Sequence, residues 1–95
     1  MQVIYKYPIK MMPGHNHLTL PEGYKILKLD YDPNKILCIW ALVDPEQEEK
    51  KEIDITLVGT GWPLDINPEV ATYIDSVVDG PYVWHAFEVK FNEIQ

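Results

Sequence analysis

Residues 53–63 read Ile-Asp-Ile-Thr-Leu-Val-Gly-Thr-Gly-Trp-Pro, and they combine a strand signal with the main binding signal of the chain. Apolar and polar side chains alternate in the first six, a period-two pattern that predicts a strand with Ile53, Ile55 and Leu57 inward. The two glycines that follow permit a turn that other residues adopt poorly. The proline behind Trp62 holds the indole at the tip. The stretch therefore predicts a strand that ends in a candidate binding loop.

Similar patterns elsewhere predict a chain that is almost entirely β. Clusters of Pro, Gly, Asn and Asp separate the apolar runs, and one short helical turn is predicted where Asn67 precedes Pro68. Seven short strands favour an all-β fold, either a small antiparallel sandwich or a barrel-like meander. The predicted strands are residues 3–7, 17–20, 24–31, 36–43, 51–58, 73–78 and 82–91.

Two of these strands have informative faces. Residues 36–43 are apolar at every position, which predicts a central strand buried on both sides or one that meets another subunit. In residues 24–31, Leu27, Leu29 and Tyr31 are expected on one face. In the last predicted strand, a mostly apolar set of side chains is expected on one face: Val83, His85, Phe87, Val89 and Phe91.

Length and composition predict one globular domain spanning residues 1–95. Hydrophobic residues make up 46% and charged residues 24%, which is ordinary for a folded protein. The chain lacks both an apolar run of the roughly 20 residues that cross a bilayer and a signal-peptide pattern. The single cysteine, Cys38, lies in an apolar run and predicts an inert core thiol in a cytosolic protein.

The charge balance excludes one class of partner. Fifteen Asp and Glu residues face eight lysines and no arginine, so the net charge is −7. Duplex DNA or RNA binding normally requires clustered Lys and Arg, so neither nucleic acid is an expected partner. A small anionic ligand stays open, because backbone N–H groups and a few lysines can hold a phosphate. The acidic run at residues 46–52 is expected to be a solvated loop.

Several short motifs follow one another along nearly the whole chain. They are Ile4–Pro8, Trp40–Pro45, Gly59–Gly61 with Pro63, Tyr73-Ile74, and Val83–His85 with Phe87-Glu88. Together they resemble a family of short phage- and prophage-encoded proteins of unknown function. Trp62 and the segment after Glu88 depart from the family pattern. The resemblance implies a phage origin and expression in the host bacterial cytoplasm, and it implies no activity.

Catalytic signatures are lacking. His15 and His17 can share one face of a strand, but no third metal ligand is evident beside them, so a solvated turn is preferred to a metal site. No serine or cysteine nucleophile stands beside His85 in a recognisable spacing. The prediction is therefore a protein that is not an enzyme, with no metal, cofactor or catalytic residue.

The aromatic residues suggest binding. Three tryptophans and six tyrosines exceed what a small core readily hides, which favours a subunit interface or a pocket that stacks on a flat ligand. His85 is either a satisfied core histidine or part of the pocket wall. The Gly-Thr-Gly turn would offer N–H groups and a hydroxyl to a phosphate. The predicted ligand-binding residues are Gly59, Thr60, Gly61, Trp62, Trp84, His85 and Trp40.

These observations lead to one expected function and two alternatives. The first is a homo-oligomeric phage counter-defence protein that sequesters a nucleotide-derived immune signal of the host, without contact with a membrane. One alternative is an acidic inhibitor that docks on a host defence enzyme. The other is a structural or accessory protein of the virion.

Overall fold

The computed structural model describes residues 1–11 and 14–90, and these form seven antiparallel strands in two sheets. The three-stranded sheet has the order β1-β4-β3, and the four-stranded sheet has the order β2-β5-β7-β6. The prediction of a small all-β sandwich is confirmed, and the sheets do not close into a barrel. The strands are β1 (Val3–Pro8), β2 (His15–Pro21), β3 (Lys25–Tyr31), β4 (Leu37–Val43), β5 (Lys50–Gly59), β6 (Ala71–Asp79) and β7 (Tyr82–Lys90).

The core lies between the inner faces of the two sheets. The predicted inward residues of β5 are buried, with Ile55 fully excluded from solvent and Ile53 at 2% exposure. β4 is the centre of its sheet, and its alternate residues Ile39, Ala41 and Val43 face the core. Burial of these aliphatic side chains is the main stabilising contribution to a sandwich of this size. The buried core cluster consists of Ile9, Leu18, Leu20, Leu29, Leu37, Ile39, Ala41, Val43, Ile53, Ile55, Leu57 and Ala86.

One side of the sandwich is closed by side chains that link β3 to β6. The backbone N–H of Leu29 donates to Asp75 Oδ2 at 3.1 Å, and the Tyr31 hydroxyl donates to Asp79 Oδ2 at 2.9 Å. Asp75 therefore accepts a hydrogen bond from a main-chain group at the edge of the opposite sheet. The β1 and β2 edges lie at the other side of the two sheets.

One predicted face was wrong, and a second was grouped correctly but lies on the outer side of its sheet. In β3 the register shifts between Ile26 and Lys28, so Leu27 is 44% exposed and does not share the inner face of Leu29. In β7 the inner positions are Trp84, Ala86 and Glu88, which are buried. The face of His85, with Val83, Phe87 and Val89, is therefore the outer one, and Phe91 lies outside the described residues.

The predicted helical turn at residues 67–70 is a single hydrogen-bonded turn. Val70 N–H donates to Asn67 O at 3.1 Å, and Glu69 N–H donates to Asn67 Oδ1 at 2.9 Å. The Asn67 side chain thus closes the turn, as an N-cap does, but no helix follows because β6 begins at Ala71. The described residues contain no helix with the length and hydropathy needed to cross a bilayer.

Candidate functional site

The turn that follows β5 is fixed by its own backbone. Thr60 N–H donates to Val83 O at 3.1 Å, and Trp62 N–H donates to Gly59 O at 3.0 Å. Gly61 has a φ of 84°, a left-handed conformation that favours glycine at this position. The turn wraps around the end of the four-stranded sheet and sends Thr60 and Trp62 to different sides of it.

On the outer side, Thr60 and Tyr73 are joined through His85. The Thr60 Oγ1 and His85 Nε2 atoms are 2.6 Å apart, and the Tyr73 hydroxyl lies 2.8 Å from His85 Nδ1. A neutral imidazole donates from one ring nitrogen and accepts at the other, so it satisfies both hydroxyls at once. Tyr73 also packs edge-on against Phe87, with ring centroids 5.2 Å apart. Three segments distant in sequence therefore meet in one hydrogen-bonded group.

On the inner side, Trp62, Trp84 and Tyr82 form an aromatic cluster. The rings of Trp62 and Trp84 meet at 89° with centroids 5.2 Å apart, and Tyr82 stacks on Trp84 at 5.7 Å. A Cβ atom at Gly59 would lie only 3.0 Å from the Trp62 ring, so the ring packs in space that glycine leaves open. Trp62 is 49% exposed and Tyr82 is 53% exposed, whereas Trp84 is buried.

Trp84 also has an unsatisfied polar atom. Its indole Nε1–H is buried and has no hydrogen-bond partner within the described part of the chain. Such a group ordinarily costs about 1–3 kcal/mol of desolvation, so it usually has a partner or a functional reason.

A cavity of about 350 Å³ lies where the turn after β5 meets the β6–β7 hairpin. Gly80 has a φ of 59° and precedes Pro81, the φ combination of a type II′ hairpin turn. Thr60 lines the cavity together with the exposed residues Trp62 and Tyr82, while the Thr60 hydroxyl is hydrogen-bonded to His85. Its lining residues are Gly59, Thr60, Trp62, Pro81, Tyr82 and Val83.

Of the seven predicted binding residues, Trp40 lies elsewhere. It sits on the outer face of the three-stranded sheet, where its Nε1–H donates to Asp30 O at 3.1 Å. Lys28 Nζ lies 5.3 Å from the Trp40 ring centroid, a cation–π distance. The other six are the residues of the turn together with Trp84 and His85, and the structure brings them to one end of the other sheet.

A family model for a domain of unknown function, DUF7352, matches residues 1–95. The chain belongs to this DUF7352 family. No curated protein and no solved structure matches it. The phage origin implied by the sequence motifs remains a prediction for this member of the DUF7352 family.

The two histidines of β2 have partners in β5. His15 Nδ1 lies 3.1 Å from Thr56 Oγ1, and His17 contacts Glu52 at 2.8 Å and Asp54 at 3.3 Å. The hydrogen bond to Glu52, supported by the one to Asp54, raises the pKa of His17. Both histidines lie on a strand, whereas a solvated turn was expected. Within residues 1–11 and 14–90, no group of three His, Cys, Asp or Glu side chains is arranged to hold a metal ion.

A larger cleft, of about 1080 Å³, lies away from these residues. Its lining includes Glu88, a buried carboxylate that accepts a hydrogen bond from the Tyr24 hydroxyl. Burial and this hydrogen bond raise the pKa of Tyr24. The wall of this cleft consists largely of exposed Glu and Lys side chains. Among them, Lys51 Nζ lies 3.9 Å from Glu22 Oε1. The smaller cavity is the better candidate because two exposed aromatic residues, Trp62 and Tyr82, line it together with the polar residue Thr60.

The sequence prediction missed Tyr73 and Tyr82 as members of the site. Both follow from the β6–β7 hairpin register, in which Tyr73 pairs with Phe87 and Asp79 pairs with Tyr82. The Gly80-Pro81 turn sets this register, but the bulge between Tyr73 and Asp75 shifts it by one residue. Pairing by simple counting from the turn would therefore have placed Tyr73 one position away.

Proposed function

We propose that this protein binds a small ligand with a planar ring at the end of the four-stranded sheet and retains it without chemical change. The observation that carries the proposal is the cavity of about 350 Å³ lined by Thr60 and by the two exposed aromatic residues Trp62 and Tyr82. Trp62 and Tyr82 can stack on a flat ligand, and Thr60 can exchange a hydrogen bond with its edge. The volume is near the lower limit for small-molecule sites, which suits a group the size of one nucleobase.

The buried Trp84 N–H adds support for a ligand with a hydrogen-bond acceptor. Trp84 contacts both ring systems that line the cavity, and its donor has no partner in the described residues. Trp84 is buried and does not line the cavity, so a ligand carbonyl or ring nitrogen would reach this donor when the Trp62 or Tyr82 ring moves aside, and it would then relieve an existing desolvation cost. Nucleobases carry both a flat ring and such acceptors.

We expect the site to bind the planar ring of a ligand and not a phosphate group. The N–H groups of Thr60 and Trp62, predicted to hold phosphate, already donate to Val83 O and Gly59 O. Of the residues that the structure describes, those that line the cavity include no lysine. A phosphate at this turn would compete with existing bonds, so binding energy is expected to come mainly from stacking.

The biological role that we propose is that of a phage protein in the cytoplasm of its bacterial host. There it would sequester a nucleotide-derived immune signal of that host. This role is supported by the motif resemblance and by the aromatic residues that line the cavity. Docking on a host enzyme is the second candidate. It is favoured by exposed apolar side chains on the outer face of the four-stranded sheet, where Val78 is 70% and Tyr73 is 49% exposed.

The test is a titration with nucleosides, nucleoside monophosphates and cyclic dinucleotides. Binding is monitored through the indole N–H signals in ¹H–¹⁵N spectra. Binding should shift the Trp62 and Trp84 signals and leave Trp40 unchanged, because Trp40 lies on the other sheet. Trp62→Ala should weaken binding by about 1–3 kcal/mol, the contribution of one stacking ring. It should change stability little, because the side chain is half exposed.

Ile36→Ala is the matched control, since Ile36 is 46% exposed and lies outside the site. Equal loss of affinity in both variants would contradict the assignment of the site. If Trp62→Ala unfolds the protein, the turn is structural and the proposal fails. If no compound shifts the Trp62 and Trp84 signals, docking through Val78 and Tyr73 becomes the leading candidate.

A further inference from the structure

The four edge strands of this sandwich differ in how they are protected from pairing with another chain. β3 and β6 each carry a register shift, and aspartates of β6 bind the β3 edge. β1 and β2 have no register shift. On β2 the exposed side chains include His17, which is bonded to two carboxylates. Among the edge strands formed by residues 1–11 and 14–90, β1 is the one that presents an unbroken edge with exposed apolar side chains, since Ile4 is 59% and Tyr5 is 46% exposed.

The backbone of β1 has hydrogen-bonding groups that point away from its sheet. Ile9 N–H donates to Leu37 O at 3.0 Å, and the β1–β4 register continues without a shift. Hydrogen-bonded and non-hydrogen-bonded pairs alternate in an antiparallel ladder, so Tyr5 and Tyr7 bond to β4. The N–H and C=O groups of Ile4 and Lys6 therefore face the open side, where the described residues place no further strand. Such a row is a template for another strand.

Charge makes this edge the place where two copies can approach. Residues 1–21 contain two lysines and no Asp or Glu, so their formal charge is +2. Residues 22–95 contain 15 carboxylates and six lysines, a charge of −9, and the two parts sum to the net −7. On β1 itself, Lys6 Nζ donates to Asp32 Oδ2 at 2.7 Å, so the charge of Lys6 is offset within its own copy and adds little repulsion when two β1 strands meet. The remaining long-range repulsion is screened within about 8 Å at physiological ionic strength.

We infer that β1 pairs antiparallel with β1 of a second copy around a two-fold axis at Tyr5. The two three-stranded sheets then form one continuous sheet. This register places Ile4 opposite Lys6 of the other copy, and each such pair exchanges both of its main-chain hydrogen bonds. An axis at Lys6 would oppose two lysines, and an axis at Ile4 would extend the pairing to Gln2, outside the strand. The axis at Tyr5 uses Val3–Tyr7 and brings the two Tyr5 rings together.

The first test is the molar mass of the protein as a function of concentration. Edge pairing buries less area than a standard interface, so association is expected between about 1 μM and about 500 μM. Over that range the mass should rise from 11.1 kDa towards twice this value. A mass that stays at 11.1 kDa throughout would overturn the inference.

Charge variants test the register. Ile4→Lys would place a lysine opposite Lys6 at both symmetric positions. Because Asp32 bonds Lys6 at 2.7 Å and offsets part of its charge, the dimer Kd should rise about threefold. Ile4→Glu would place a carboxylate opposite Lys6 and should give a lower Kd than Ile4→Lys. Val78→Lys is the control, because it adds the same charge at an exposed position of β6 and should leave the Kd unchanged. Equal shifts for the two Ile4 variants would overturn the proposed register.

Hydrogen exchange tests the interface in the unmodified chain, so the inference does not depend on a variant folding. The amides of Ile4 and Lys6 should become protected as concentration rises, whereas those of Tyr5 and Tyr7 should be protected at all concentrations. Dimers without new protection at Ile4 and Lys6 would mean that another surface forms the contact. These outcomes are independent of ligand binding, so they do not depend on the proposed function.

Discussion

The hydrogen bond from Leu29 N–H to Asp75 is the sharpest test of how the two sheets are held together. Leu29 is 2% exposed, and its N–H faces the edge of its sheet, where the Asp75 carboxylate accepts it at 3.1 Å. Asp75→Ala removes the acceptor and leaves a donor at a buried residue. A hydrogen bond to a charged group contributes about 1.5–3 kcal/mol, so we expect a loss of about 2 kcal/mol in the free energy of unfolding.

The assay is urea unfolding followed by far-ultraviolet circular dichroism, with thermal unfolding beside it. For a domain of this size each kcal/mol corresponds to about 4–8 °C, so Tm should fall by about 8–16 °C. Asp75→Asn keeps an acceptor oxygen and should lose about half as much, since neutral hydrogen bonds are weaker. Asp65→Ala, which removes the same charge from an exposed loop, should change stability by less than about 0.5 kcal/mol. A loss below about 0.5 kcal/mol for Asp75→Ala would refute the reasoning.

Two further predictions concern protonation. The pKa of His17 is raised by its hydrogen bond to Glu52 and then by the one to Asp54, so its stabilising contribution is fully present below the unfolded pKa of about 6.5. That contribution should be lost as pH rises through the higher pKa of His17 in the folded protein, and His17→Gln should remove this pH dependence. The measurement is the free energy of unfolding as a function of pH, and the same curve for His17→Gln as for the unmodified protein would contradict the prediction. Burial, then the hydrogen bond to Asp79, raises the pKa of Tyr31 to about 12, so absorbance at 295 nm should show late ionisation whose amplitude Tyr31→Phe reduces by one tyrosine, while Tyr24, whose pKa is also raised, still ionises late. The neutral phenol therefore stabilises the fold below about pH 10, and this stabilisation is lost as pH rises towards the pKa of Tyr31 in the folded protein. Identical titration curves for the unmodified protein and Tyr31→Phe would contradict the prediction.

Much of the fold followed from local patterns. The alternation in β5 predicted its buried face, because side-chain direction in a strand repeats every two residues. The apolar run of β4 predicted a central strand buried on both sides; β4 is central, but Trp40 and Leu42 on its outer face are half-buried. Where a bulge interrupts that repeat, in β3 and β6, the faces of the strand could not be read from the sequence. In β7 both faces carry large apolar residues, so only packing against the other sheet decided that Trp84 faces inward and His85 outward.

Some features of the candidate site likewise followed from the sequence, and others depended on tertiary structure. The sequence by itself determined an all-β chain, the turn after β5 and the residue types able to stack on a flat ligand, because these depend on neighbours along the chain. Tertiary structure alone joined His85 to Thr60 and Tyr73, separated Trp40 from the other tryptophans, and left β1 as the open edge. Those outcomes depend on which strands become neighbours and on where the register shifts. Both are set by long-range packing of the two sheets, which local patterns do not specify.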